Sequence, residues 1–288
     1  MIFLILSILS STAIAVFFKI LDKSKIKLFP VIVLNYFTAT LFGIILNKTT
    51  INVPEIIQSN WIYSALLIGV LLIVGFYLIG YATQKIGIAV TTISNKMSVI
   101  IPILFSILFF AETINFIKII GIFLSLIAIA FSSFKPRKVK IDYKFIYLPI
   151  LLFVIIGLID SLVKFSQSNL PENTIPIFTI LTFGIAGITG IIISFFNKTK
   201  LSDFFNLKII ISGILLGATN FASMYFLIFS LNRSGLDSSV VFGINHIGII
   251  SLSILFAFFV FKEKLKLINW FGILLAIIAV ILLVLEIQ

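Results

Sequence analysis

The sequence predicts an all-α integral membrane protein of ten transmembrane helices in two inverted five-helix repeats. Three observations carry this. The chain has 288 residues, 61% of them hydrophobic and only 11% charged, where a soluble protein keeps roughly 25% charged residues. Its apolar residues fall in continuous runs, not in the alternating segments of about ten residues that build a transmembrane barrel. The runs also repeat. Gly69 recurs as Gly217, Tyr77 as Tyr225, Lys85 as Arg233 and Gly87 as Gly235, at an offset of 148. Further on the offset becomes 151, with Ile103, Leu104 and Phe105 recurring as Ile254, Leu255 and Phe256. Glu112 then recurs as Glu263, Gly121 as Gly272 and Ala128 as Ala279. Each copy holds five spans, and an odd number turns the second copy upside down. Such repeats mark secondary carriers, whose site lies near the bilayer midplane between the copies.

The spans are expected near 2–20, 28–47, 62–83, 87–110, 116–134, 145–167, 174–196, 208–231, 238–261 and 267–286. With about 20 apolar residues per span, ten spans take roughly 200 residues and leave only short loops. Residues 1–18 are apolar and end near Ala13-Ile14-Ala15, which resembles a cleavage site. A signal peptide needs a basic start, and nothing basic precedes Lys19, so a retained span is expected. Residues 1–134 form the first repeat and 145–288 the second. Between them, 135–144 is a basic linker, because Lys135, Pro136, Arg137, Lys138 and Lys140 cannot lie in hydrocarbon. The stretch 51–60, with Pro54 and Glu55, is the other loop with length of its own.

The net charge of +11 resides mainly in loops, so it points to topology and not to nucleic acid. One side collects Lys23, Lys25, Lys27, Lys85, the linker with Lys144, Lys198, Lys200, Lys208, Lys262, Lys264 and Lys266. The other holds Lys48, Lys118, Arg233 and, near a span end, Lys164. The bias puts the linker in the cytoplasm and both termini outside, as expected for a multi-pass protein of a bacterial inner (plasma) membrane. Small residues four apart, at Gly121 and Ser125, Gly272 and Ala276, and Gly213 and Gly217, allow close helix approach. Spans 5 and 10 are therefore expected to pack together.

Ionisable groups inside spans cost about 2.5–3.5 kcal/mol on insertion scales and usually face a cavity or a partner. Lys96 lies about ten residues into the fourth span and suits a carboxylate or phosphate. His246, the single histidine, aligns with Asn95, and Asn245 aligns with Ser94. These residues mark the expected cavity centre. Asp160 and Lys164 stand one turn apart in the sixth span, where they can neutralise each other. Asp160 and His246 are the candidates for coupling to a proton or another ion. Asn35, Asn220, Tyr77 and Tyr225 complete the substrate-binding candidates, the two tyrosines also suiting packing. Glu112 and Glu263 read as capping or interfacial pairs. The chain has no cysteine, so it has no thiolate ligand or nucleophile. No metal site, cofactor or catalytic residue is expected. The motifs of zinc peptidases, serine hydrolases and phosphate-binding loops are absent from the sequence.

The ordered duplication of Pro102, Glu112 and Gly121 with Ser253, Glu263 and Gly272 resembles the EamA-type transporters of the drug/metabolite transporter superfamily. The second half lacks the proline. Lys19 and Lys164 match the basic residue often found late in the first helix of each half. The resemblance covers essentially the whole chain. It implies a metabolite or drug carrier, often an exporter, with a cavity lined by helices 1, 3, 4, 6, 8 and 9. Many members keep both termini in the cytoplasm, whereas the loop charges here argue the reverse. The expectation is a secondary transporter, not an enzyme, moving a small anionic or zwitterionic metabolite, such as an amino acid, by alternating access. Its partners are that substrate, the lipid bilayer and a coupling proton or ion. A flippase of a lipid-linked substrate on the same fold is the alternative, with a non-transporting membrane protein behind it.

Overall fold

The computed structural model describes residues 1–24, 26–50, 53–86, 88–133, 143–196, 199, 201–262 and 265–285. Gly87, Glu263, Lys264 and the linker core 135–142 lie outside them. The helices are α1 (Ile2–Lys23), α2 (Leu28–Leu46), α3 (Val53–Gln58), α4 (Ile62–Ile86), α5 (Ile88–Met97), α6 (Ile100–Phe109) and α7 (Phe116–Ser132). There follow α8 (Tyr147–Ser168), α9 (Ile175–Phe196), α10 (Leu201–Phe204), α11 (Leu207–Arg233), α12 (Ser238–Phe259) and α13 (Leu267–Leu285). Among the described residues nine segments are long and apolar enough to cross a membrane, and α7 is a shorter apolar helix. This is a ten-helix, multi-pass, all-α membrane protein. Large apolar side chains such as Ile45, Leu108, Phe195 and Phe196 are exposed, as hydrocarbon allows and water does not.

The fourth span differs from the single run expected at 87–110. It is two helices, α5 and α6, joined by a turn at Ser98 and Val99. Pro102 is the reason: it has no N–H to return to the Ser98 carbonyl. The Ile101 N–H takes that carbonyl instead at 2.9 Å, one residue tighter than a helix bond, and Ile103 N–H bonds Val99 O at 3.2 Å. Lys96 thus falls in the last turn of α5, where the carbonyl end of the helix dipole favours a cation.

The contacts sort the chain into two compact units. The first comprises residues 1–77 and 165–232, and the second 78–164 and 233–288. Each unit draws helices from both sides of the linker.

In the first unit, α2 is the central element. A Cβ added to Gly213 of α11 would meet Leu34 Cβ at 2.6 Å, and one at Gly217 would meet the Asn35 carbonyl at 2.6 Å. On another side Gly187 and Gly190 of α9 lie against Phe37 and Val33. Four α2 contacts are thus made by bare backbone, which gains van der Waals contact that lipid does not offer. The hydroxyls of Ser11 (α1) and Ser223 (α11) bond at 2.6 Å, and Ser7 Oγ donates to the Ser223 carbonyl.

In the second unit, α7 and α13 pack along their small-residue faces, as the duplicated glycines lead one to expect. Gly272 sits so close to α7 that an added Cβ would collide with the Ser132 backbone. Gly121 presses against Leu283, and Ala128, Ala276 and Ala279 form a buried cluster with Ile247 of α12. The Asn269 amide donates to the carbonyls of Phe131 and Ser132, satisfying the C-terminal end of α7.

These contacts make a direct prediction. Gly272→Ala should destabilise the protein by about 1–3 kcal/mol, because the colliding atom is backbone and cannot rotate away. Gly80→Ala, with nothing within 4 Å of the added carbon, should leave the thermal unfolding midpoint unchanged. Equal midpoints for the two variants would refute this packing.

Candidate functional site

Three helices of the second unit bring the ionisable groups of the spans together. α5 carries Asn95 and Lys96, α8 carries Asp160, and α12 carries Asn245 and His246. His246 Nε2 lies 3.2 Å from Asp160 Oδ2. The two atoms are close but not aligned, since Asp160 Oδ2 has no partner in hydrogen-bond geometry among the described residues. His246 Nδ1 and Asn245 Oδ1 likewise have none among them. The Asp160 carboxylate also acts electrostatically on Lys96. The cluster therefore holds one amine, one carboxylate and one imidazole.

Asp160 Oδ2 approaches His246 on α12. Lys164 Nζ lies 4.5 Å above the Phe110 ring, a cation–π distance.

A second polar cluster of this unit was not expected. Lys118 counts as a loop charge in the sequence, but the structure buries it completely in the first turn of α7. Its ammonium donates to Asp237 Oδ2 at 2.6 Å, to the Thr113 carbonyl at 3.0 Å and to Glu112 Oε2 at 3.4 Å. Two carboxylates and a carbonyl compensate the loss of hydration that burial imposes. Glu112 also accepts from the backbone N–H groups of Ser238 and Ser239, the first at 2.8 Å. It is a helix cap, in keeping with its sequence reading; its repeat counterpart Glu263 lies outside the described residues. One sequence signal for the cluster existed. Lys118 is flanked by Phe116, Ile117, Ile119 and Ile120, so it either pairs or faces lipid.

The remaining candidates belong to the first unit. Asn35 is fully buried, donating to the Ile32 carbonyl and accepting from the Asn220 amide at 3.0 Å. Tyr77 meets Phe29 edge-on at 6.4 Å. Tyr225 sits among Phe221, Phe226 and Phe229, with ring centres 4.7–5.8 Å away.

Known proteins share this architecture. Residues 1–134 match the model of the EamA-like transporter family. An uncharacterized protein of Haemophilus influenzae is 30% identical over 283 residues, covering 96% of this chain and 95% of its own length. A protein of known crystal structure shares the fold across 99% of this chain and 96% of its own, with a TM-score of 0.73 at 12% identity. The chain belongs to the EamA-like transporter family, within the drug/metabolite transporter superfamily. It is a multi-pass membrane protein of a family that carries small molecules across a lipid bilayer.

The Asn35–Asn220 pair gives a stability prediction. Asn35→Leu should cost about 1–3 kcal/mol, because it leaves the Asn220 amide buried without its acceptor. Adding Asn220→Leu should recover part of that loss. A double-mutant cycle on thermal unfolding checks this, and strict additivity would refute a direct pair.

Proposed function

We propose that this chain is a secondary transporter of a small zwitterionic or anionic metabolite, such as an amino acid, and that its substrate binds at Lys96, Asn95, Asn245 and His246. The observation that carries the reading is the 3.2 Å approach of His246 to Asp160 within apolar helices, beside buried polar atoms that have no hydrogen-bond partner among the described residues. Lys96 supplies a fixed positive charge for a carboxylate. Asp160 Oδ2 and Asn245 Oδ1 are acceptors suited to an ammonium group. Substrate and proton meet at the same residues, because a proton on His246 turns its contact with Asp160 into an ion pair. Movement of a substrate carboxylate with a proton then keeps the charge within the spans low, as a medium of low dielectric requires. Asn35 and Asn220 are spent on each other, so we assign them to scaffold.

The two sequence repeats, 1–134 and 145–288, alternate access to this site from the two faces of the membrane. The loop charges support a bacterial inner membrane location with both termini outside. An ion gradient or exchange drives the cycle, since the sequence has no nucleotide-binding loop.

The test is thermal unfolding of the purified full-length protein against a panel of L-amino acids and small carboxylates at pH 5.5 and 7.5. A ligand at 100 times its Kd adds about 2.7 kcal/mol to the stability of the state it binds. At least one member of the panel should raise the midpoint of the wild type and fail to do so in Lys96→Ala. Stabilisation retained by Lys96→Ala would overturn the site. An unresponsive wild type would favour a lipid-linked substrate. In proteoliposomes, uptake of the stabilising compound by His246→Gln should lose the pH dependence of the wild type; an unaltered pH profile would remove His246 from the coupling role.

A further inference from the structure

The N-terminus of α12 is capped by a carboxylate from another part of the chain. Asp237 occupies the N-cap position yet makes no cap hydrogen bond with its side chain. Its carboxylate goes to Lys118, and the first amides of α12 donate to Glu112 from the α6–α7 connection. The backbone aims that carboxylate. Ala111, immediately before Glu112, has φ +49°, a left-handed conformation unusual for a residue with a side chain. The same feature recurs 151 positions later at Lys262, with φ +53°.

α6 also holds α8. Gly157 of α8 lies flush on Ile101, where an added Cβ would come within 2.5 Å of Ile101 Cδ1. Nearer the other end of α6, Lys164 covers the Phe110 ring. One short helix therefore sets the position of α8, which carries Asp160, and through Glu112 the position of α12, which carries His246. From Ser239 to His246 is roughly 10 Å of stiff helix, about two turns. A slide along that axis changes how the imidazole approaches the carboxylate, now 3.2 Å away.

We propose that Glu112 is a positioning residue for the Asp160–His246 pair. By capping α12 in place of that helix's own Asp237, it fixes the depth of α12 and so the place where the imidazole meets the carboxylate. The functional weight of this role rests on the reading of that pair as the coupling centre.

His246 is the single histidine in the chain, so full-length protein labelled with 15N-histidine in lipid nanodiscs reports one imidazole. Glu112→Ala should move both ring nitrogen signals and alter their titration between pH 5 and 8. Glu112→Gln keeps one oxygen for the Ser238 N–H but loses the charge beside Lys118, and should move the signals less than Glu112→Ala. Asn35→Leu, a destabilising change in the other compact unit, should also leave the imidazole unmoved and separates positioning from general loosening. If Glu112→Ala does not fold, Glu112→Asp replaces it: one methylene shorter with the charge kept, it should still move the signals. An imidazole unmoved by Glu112→Ala or Glu112→Asp overturns the proposal, as does one moved equally by Asn35→Leu. The measurement needs no substrate, so its failure is distinct from a failure of the ligand-binding reading, which the Lys96→Ala melting experiment decides.

Discussion

Hydrocarbon offers no hydrogen bonds and almost no dielectric screening, so every charge carried on a span must be compensated inside the protein. The second unit is organised by this demand. Lys118 is completely buried in the first turn of α7, and it is tolerable there because Asp237 and Glu112 converge on it. That convergence ties the start of α12 to the α6–α7 connection. Because Asp237 is drawn away to the lysine, the amides of α12 need another acceptor, and Glu112 provides it. A single compensation thus dictates a helix cap, a left-handed residue at Ala111 and the placement of a helix that carries two candidate site residues.

The other cluster shows the same demand incompletely met. Asp160 and His246 lie within 3.2 Å without an aligned hydrogen bond, and two neighbouring polar atoms have no hydrogen-bond partner among the described residues. In the first unit the Asn35–Asn220 pair is closed upon itself. The contrast separates polar groups that hold helices together from polar groups with valences left for something else. Apolar packing frames both. Bare backbone at Gly213, Gly217 and Gly272 brings helices closer than side chains allow, which is how helices adhere where lipid removes the hydrophobic drive between them.

The span map was legible in the sequence to within about three residues, because bilayer thickness imposes a length and an apolar composition that need no partner to be seen. The close packing of α7 on α13 was legible for a related reason, since small residues four apart announce a contact face. The break in the fourth span was signalled only by Pro102, in a run whose composition stays apolar. In the sixth span, spacing places Asp160 and Lys164 on one face, but spacing could not show that Asp160 approaches His246 on another helix. Lys118 was misread because its two carboxylates stand 6 residues before it and 119 residues beyond it.

The sequence by itself determined the membrane class, the ten helices, the duplicated pattern and the residues with chemistry to offer. Those follow from local composition and period, which act along the chain. The tertiary structure alone decided that the compact units each draw on both halves of the chain, that Asp160 meets His246, and that Glu112 caps a helix 126 residues away. Those pairings are choices among many partners at long sequence separation, and only the three-dimensional balance of desolvation against counter-charge selects among them.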